Sequence, residues 1–108
     1  LNDVSTDKIK IINDPILEYS IQIFSSENYN LVNKKIDSMI KKNDNNQISQ
    51  ESLLNKKDFF IVVFNHEINT EYLLLYNNFR SRDSAFEYCS KYLNFLRKCL
   101  IVNAQKLN

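Results

Sequence analysis

Residues 72–86 constrain the fold most, because they predict a strand, a short turn and the capped start of a helix in immediate succession. Apolar residues fill the strand, two asparagines supply the turn, and Ser81 with Asp83 provides a helix cap and an acidic residue in the first helical turn. Residues 19–27 repeat this order, with a strand that opens on a tyrosine, then serines and an acidic residue. Two such units in 108 residues predict the architecture of one small domain.

The remaining residues complete a βαββαβ order. Ser25 or Ser26 is predicted to cap the first helix, the apolar runs 59–64 and 72–76 predict a hairpin, and residues 99–102 predict a last strand. We therefore predict an α+β, ferredoxin-like (RNP-like) fold, with a four-stranded antiparallel sheet, strand order four, one, three, two, and both helices on one face. The helix residues predicted to be buried beneath Ile21, Ile23, Leu74 and Tyr76 are Val32, Ile36, Ile40, Ala85, Cys89 and Leu93. Tyr92 belongs to the predicted buried stripe of the second helix.

Three segments flank or interrupt this pattern. Residues 1–17 predict a linker, since Pro15 breaks any helix, with isoleucines that can pack on the domain. Within residues 18–104, which form the predicted domain, residues 43–57 predict an inserted polar loop with one helical turn around residues 49–54. Residues 105–108 are predicted to be a tail. We expect an anchor or signal to lie outside this chain.

Composition argues against several classes of function. With 14 Lys and Arg against 13 Asp and Glu, the net charge is +1, whereas nucleic-acid-binding domains carry a marked basic excess. The third predicted strand also lacks the basic, aromatic signature of RNA-recognition domains. The chain has no glycine, which excludes Gly-rich phosphate loops and leaves asparagine or aspartate for any positive φ. No apolar run approaches the roughly 18 residues of a membrane span, so we expect no membrane contact by this domain.

Catalytic and metal chemistry are not supported by the sequence. His66 is the only histidine, and it lies in the predicted hairpin turn without an obvious orienting partner. His66, Cys89 and Cys99 lack the close spacing of a zinc site. The carboxylates Glu67, Glu71, Asp83 and Glu87 all look solvated. We therefore expect no enzyme activity, no cofactor and no metal.

A family resemblance emerges from the two repeated units. Residues 19–22 (Tyr-Ser-Ile-Gln) and residues 72–85 (Tyr-x-Leu-x-Tyr-x-x-Phe-x-Ser-Arg-Asp-x-Ala) resemble the SPOR domain of bacterial envelope proteins. That family has roughly Tyr-x-Val-Gln-x-Gly in the first unit and Tyr-Arg-Val-x-Val-Gly-Pro-Phe before the second helix. In this chain Phe24 stands at the first glycine, Leu73 replaces the arginine, and residues 77–78 (Asn-Asn) replace Gly-Pro.

The resemblance implies a non-catalytic binding module of the bacterial periplasm or envelope, of the kind found at sites of cell division. SPOR domains bind peptidoglycan glycan strands that have lost their stem peptides, through the sheet face that the helices leave open. The resemblance places Ser20, Gln22, Leu73 and Leu75 on that face. Gln22 is the best candidate, because its amide can both donate to and accept from sugar groups. From the alternation of polar and apolar residues alone, Gln22 is predicted to be simply an exposed polar residue between core isoleucines.

An alternative function is protein–protein interaction or oligomerisation within an envelope complex. Outward-facing Leu73 and Leu75, with Phe24 and the row Phe60, Val62 and Phe64, predict a contiguous apolar patch. Such a patch could bind another protein or a second copy of the chain. The polar loop, the N-terminal segment or a second copy could equally cover it.

The two cysteines leave one further question open. Cys89 on the second helix and Cys99 at the last strand could approach each other. The envelope location that the resemblance implies permits a disulfide, and two reduced core thiols are the equal alternative.

Overall fold

An antiparallel sheet with two helices on one face forms the fold in the computed structural model, which describes residues 8–12, 17–46 and 54–107. The elements in chain order are β1 (Lys8–Ile12), β2 (Tyr19–Ser26), α1 (Tyr29–Asn46), β3 (Phe59–Asn65), β4 (Thr70–Phe79), α2 (Arg82–Tyr92) and β5 (Leu100–Asn103), with 3₁₀ turns at Lys56–Asp58 and Ala104–Lys106. None of the described helices has both the length and the apolar character needed to cross a bilayer.

The strand order is β1-β3-β4-β2-β5, with antiparallel pairing throughout. The four strands of the predicted βαββαβ pattern take the predicted order, so the α+β fold class and the topology are confirmed. The hairpin turn between β3 and β4 is also confirmed, and it is closed by a 2.8 Å hydrogen bond from the His66 amide to the Asn69 carbonyl. The hairpin could be predicted from the sequence because its polar turn and its two apolar runs are local signals.

Strand β1 was not predicted. It pairs with β3 at the edge of the sheet, and Ile11 lies opposite Val62. The linker predicted over residues 1–17 therefore contributes a fifth strand. A five-residue edge strand carries little periodicity of its own, and its pairing with β3 determines its conformation.

The main core lies between the sheet and the two helices. Ile21, Leu74 and Tyr76 contribute from the sheet and are almost completely buried. Of the predicted helix residues, Val32, Ile36, Ala85, Cys89 and Leu93 are buried in this core and Ile40 is partly buried, whereas Tyr92 is not part of it. Because side chains of both helices meet the same sheet residues, the helices lie on one face, as predicted.

Helix α1 begins later and ends later than predicted. Strand β2 continues to Ser26, and Asn28 then caps the helix by accepting a 2.9 Å hydrogen bond from the Asn30 amide. The predicted caps, Ser25 and Ser26, are therefore wrong. The helix runs to Asn46, into the stretch predicted as a polar loop, and the predicted turn around residues 49–54 lies almost entirely outside the described residues.

Helix α2 begins as predicted and is tied at its other end. Ser81 accepts a 3.1 Å hydrogen bond from the Ser84 amide, and Asp83 lies in the first turn. Cys89 forms a disulfide with Cys99, and their Cα atoms are 5.9 Å apart. The disulfide links α2 to the segment that leads into β5.

Strand β4 contains a bulge at Asn77. Asn77 has a φ of 65°, the left-handed region that favours glycine. Tyr76 pairs with Ile21 and Phe79 pairs with Tyr19. Two residues of β4, Asn77 and Asn78, therefore lie opposite a single residue of β2, Ser20. In a chain without glycine, an asparagine takes this position, as the composition predicted.

Candidate functional site

The sheet face away from the helices forms a second, smaller apolar core. Leu73 is 9% exposed and Leu75 is fully buried, together with Phe60 and Val62. The prediction that Leu73 and Leu75 lie on an open surface is therefore wrong. The residues that complete this cluster come from the segments beside β2 and β5: Leu17, Ala104 and Leu107.

The segment before β2, with Leu17, and the segment after β5, with Ala104 and Leu107, cover this cluster and are joined by a backbone hydrogen bond. The Ala104 amide donates a 2.8 Å hydrogen bond to the Glu18 carbonyl, and the Glu18 amide donates to the Asn78 side-chain oxygen at 2.9 Å. Leu107, which was predicted to lie in a tail, packs on the cluster. The apolar side chains of this cluster are thus largely removed from water by the chain's own residues, which is the outcome that the hydrophobic effect favours.

Ser20 faces the predicted direction but is fully buried. Its hydroxyl lies 3.0 Å from the Tyr76 carbonyl oxygen and 2.6 Å from the Asn77 carbonyl oxygen. Both carbonyls belong to the β4 bulge, where the regular ladder is interrupted. Ser20 therefore supports the backbone of the bulge and is not available for a ligand.

Phe24 lies on the opposite side of the sheet from its predicted position. Gln22 pairs with Leu75 and Phe24 pairs with Leu74, so Ile23 is an extra residue between two successive pairs. This bulge shifts the alternation by one residue, and Phe24 packs against the core under the helices, with Lys35 Nζ 5.8 Å from its ring centroid. Simple alternation along β2 could not show the shift.

Gln22 remains on the face predicted for it. It is half-buried and lies opposite Leu75 on β4 and opposite Leu100 on β5. Leu100 is 47% exposed, in contrast to the leucines of β4. We call this pair, Gln22 and Leu100, the sheet surface. It combines an amide with an exposed aliphatic side chain at the β2–β5 side of the sheet.

A second candidate surface lies on the helix side, where α2 meets the end of β4. A groove of about 320 Å³ is lined by Phe79, Ser84, Glu87, Tyr88, Lys91 and Tyr92, and we call it the α2 groove. The Phe79 and Tyr88 ring centroids are 5.3 Å apart, and those of Tyr88 and Tyr92 are 4.8 Å apart. The apolar stripe predicted Tyr92 as a core residue. The i, i+4 spacing of Tyr88 and Tyr92 is the local signal that could have revealed the groove.

The base of the α2 groove connects to a polar contact inside the main core. The Tyr88 and Tyr76 hydroxyls form a hydrogen bond, and burial raises the pKa of both phenols. For Tyr76, the neighbouring Tyr88 and the Asp58 carboxylate raise the pKa further. Both hydroxyls therefore keep their protons at neutral pH, so Tyr88 is held in place as a neutral hydrogen-bonding group.

His66 lies at the hairpin turn, as predicted. Its side chain is 35% exposed, and Nε2 lies 3.9 Å from the Glu71 carboxylate. Its ring stacks on Phe64, with centroids 6.3 Å apart and ring planes 7° apart. Glu71 is thus a neighbour that the sequence did not identify. Within the described part of the chain, no group of three His, Cys, Asp or Glu residues could hold a metal ion.

No family model, curated protein or solved structure matches the chain. The SPOR resemblance therefore stays a prediction that rests on residues 19–22 and 72–85. The fold class agrees with what that resemblance implies. The two candidate ligand sites of the described residues are the sheet surface and the α2 groove.

Proposed function

We propose that this chain is a non-catalytic glycan-binding module of the bacterial envelope, like the SPOR domains that it resembles. The observation that carries the proposal is the position of Gln22, half-buried on the sheet face away from the helices and beside the exposed side chain of Leu100. The amide of Gln22 can donate to and accept from sugar hydroxyls and N-acetyl groups. Leu100 offers an apolar surface for the C–H face of a sugar ring.

Two features of the fold support this proposal. The α+β topology is the one that the resemblance implies, and it leaves Gln22 on the expected face. The Cys89–Cys99 disulfide is of a kind that persists in oxidising compartments such as the bacterial periplasm. We therefore propose a periplasmic or envelope location, with an anchor outside this chain.

The alternative, a protein-interaction or dimerisation module that uses the apolar sheet face, is less well supported. It required exposed side chains at Leu73 and Leu75, and these are buried in the isolated chain. A partner docking there would first have to displace Leu17 and Leu107. Leu100, an exposed aliphatic side chain in the described part of this region, is one residue of the proposed glycan contact.

Co-sedimentation with peptidoglycan sacculi tests the proposed function. The wild-type domain should sediment with sacculi whose stem peptides have been removed by an amidase, and much less with intact sacculi. Gln22→Ala and Leu100→Ser should each reduce the bound fraction, whereas Gln105→Ala, an exposed amide on the turn after β5, should bind like the wild type. If the wild-type domain does not sediment with denuded sacculi, the proposed function is wrong.

A further inference from the structure

The α2 groove has the features of a small binding site. Its volume of about 320 Å³ lies at the lower end of the range for small-molecule sites, roughly 300 to 1,000 Å³. Its walls combine three half-buried aromatic rings with three exposed polar residues at the rim, Ser84, Glu87 and Lys91. Ligand sites typically show this combination of apolar walls and a few orienting polar groups.

The three rings form one continuous wall. Phe79 from β4 contacts Tyr88, and Tyr88 contacts Tyr92 one helical turn further along α2. Each of these rings is partly exposed, so part of its surface is accessible to a ligand. Large aromatic surfaces of this kind contribute strongly to binding energy when a ligand covers them.

The rim carries no net charge. Glu87 and Lys91 contribute one carboxylate and one ammonium group, and Ser84 contributes a hydroxyl. Lys91 Nζ lies 5.2 Å from the Tyr92 ring centroid, so its ammonium group lies beside the aromatic wall. This rim suits a neutral ligand with several hydroxyl groups, because it supplies both hydrogen-bond donors and acceptors without favouring either sign of charge.

Several contacts also hold the residues of the groove in place. Ser81 caps the start of α2, the Cys89–Cys99 disulfide fixes its last turns, and the Tyr88 hydroxyl is hydrogen-bonded to Tyr76. A site that is already ordered loses little conformational entropy when a ligand binds. The side chains of the wall are therefore positioned before a ligand arrives.

We propose that the α2 groove binds one neutral sugar ring, a hexose or an N-acetylhexosamine, at a site separate from the sheet surface. The aromatic wall stacks against the C–H face of the ring, and Ser84, Glu87 and Lys91 bind its hydroxyls. The size of the groove favours a sugar over a proline-rich peptide, which needs an extended aromatic groove. Six residues from one helix and one strand end line this groove.

Titrations of the folded, disulfide-bonded domain with chitotriose and with cellotriose, followed by NMR of the tyrosine rings, test this inference. We expect saturable shifts at Tyr88 and Tyr92 with at least one of the two sugars. Tyr92→Ala should weaken that binding by at least about fivefold, since it removes a central aromatic contact. Phe86→Ala is the matched control, because Phe86 is an exposed aromatic residue of α2 outside the groove, and it should bind like the wild type.

Glu87→Trp provides a second variant in case Tyr92→Ala fails to fold. Residue 87 is exposed, so the larger ring should fill the groove and block the sugar without removing a wall residue. The inference is overturned if neither sugar shifts the tyrosine signals, if Phe86→Ala weakens binding as much as Tyr92→Ala, or if decaproline binds there and the sugars do not. Gln22→Ala should leave this binding unchanged. Loss of sacculus binding in Gln22→Ala therefore concerns the sheet surface, and loss of sugar binding in Tyr92→Ala concerns the groove.

Discussion

The hydroxyl of Ser20 on β2 lies 3.0 Å from the Tyr76 carbonyl oxygen on β4, in a fully buried position. The same hydroxyl is 2.6 Å from the Asn77 carbonyl oxygen, so it can donate to either of two carbonyls that the bulge exposes. A buried carbonyl oxygen without a hydrogen-bond donor destabilises the folded state, and the Ser20 hydroxyl supplies such a donor. The residue that the sequence suggested as a ligand contact is therefore part of the framework that holds β2 and β4 together.

Ser20→Ala should lower the free energy of unfolding by about 1 to 3 kcal/mol, because it removes the donor and leaves a buried carbonyl unsatisfied. Urea denaturation would measure the change. Ser25→Ala is the matched control, since Ser25 is an exposed serine of the same strand, and it should change stability by less than about 0.5 kcal/mol. Equal effects of the two substitutions would show that the buried hydrogen bond contributes nothing.

The φ of 65° at Asn77 gives a second prediction. Asn77→Gly and Asn77→Ala both remove the side-chain oxygen that accepts a hydrogen bond from the Asn78 amide. The difference between the two variants therefore isolates the backbone conformation, and Asn77→Ala should be the less stable by about 1 to 2 kcal/mol. Thermal unfolding of both variants under the same conditions measures this difference. An alanine variant as stable as the glycine variant would mean that residue 77 does not hold this conformation in solution.

The sequence predicted the parts of this fold that depend on local signals. Residues 72–86 contain the signals of a strand and a helix cap within one short stretch, and the structure has both, but β4 runs to Phe79 and the asparagines predicted as a turn form a bulge within it. The bulge at Ile23 is different, because it follows from how β2 pairs with β4, and one shifted residue moved Phe24 to the other face. The same reasoning explains Leu75, whose burial depends on residues far away in the chain, Leu17 and Leu107.

The candidate sites also divide into those that local sequence signals predict and those that depend on contacts between distant parts of the chain. Gln22 was placed correctly because the alternation before the bulge is regular. The α2 groove was not predicted: the spacing of Tyr88 and Tyr92 marks only its helix side, and Phe79 meets Tyr88 only when α2 folds back over the end of β4. A helical stripe indicates which side of a helix faces the core, but the edge of that stripe can instead line a surface groove, as Tyr92 does.

The Cys89–Cys99 disulfide should stabilise the domain by about 2 to 3 kcal/mol, as expected for a short closed loop between residues ten apart. A Cys89→Ser, Cys99→Ser double variant should therefore melt about 10 °C or more below the oxidised wild type. Thermal unfolding with and without a reductant gives the measurement. The reductant should lower the melting temperature of the wild type and leave the double variant unchanged. An equal melting temperature for the oxidised wild type and the double variant would contradict the prediction.

The hydrogen-bonded pair Tyr76 and Tyr88 predicts a loss of stability at alkaline pH. Burial raises the pKa of both phenols above the value of about 10 that tyrosine has in an unfolded chain. Below about pH 10 both states hold the proton, and the stabilisation is fully present. At higher pH the unfolded chain releases the proton while the folded chain keeps it, so the free energy of unfolding falls.

Urea denaturation of the wild type at several values between about pH 8 and about pH 11 should therefore show stability declining above about pH 10. Tyr76→Phe removes the more strongly shifted phenol, so its stability should decline less steeply over this interval, although it starts lower because a buried hydrogen bond is lost. Tyr29→Phe is the control, because Tyr29 is 40% exposed and lies outside this pair, and it should keep the wild-type slope. Parallel slopes for Tyr76→Phe and the wild type would show that Tyr76 ionises alike in the folded and unfolded chains.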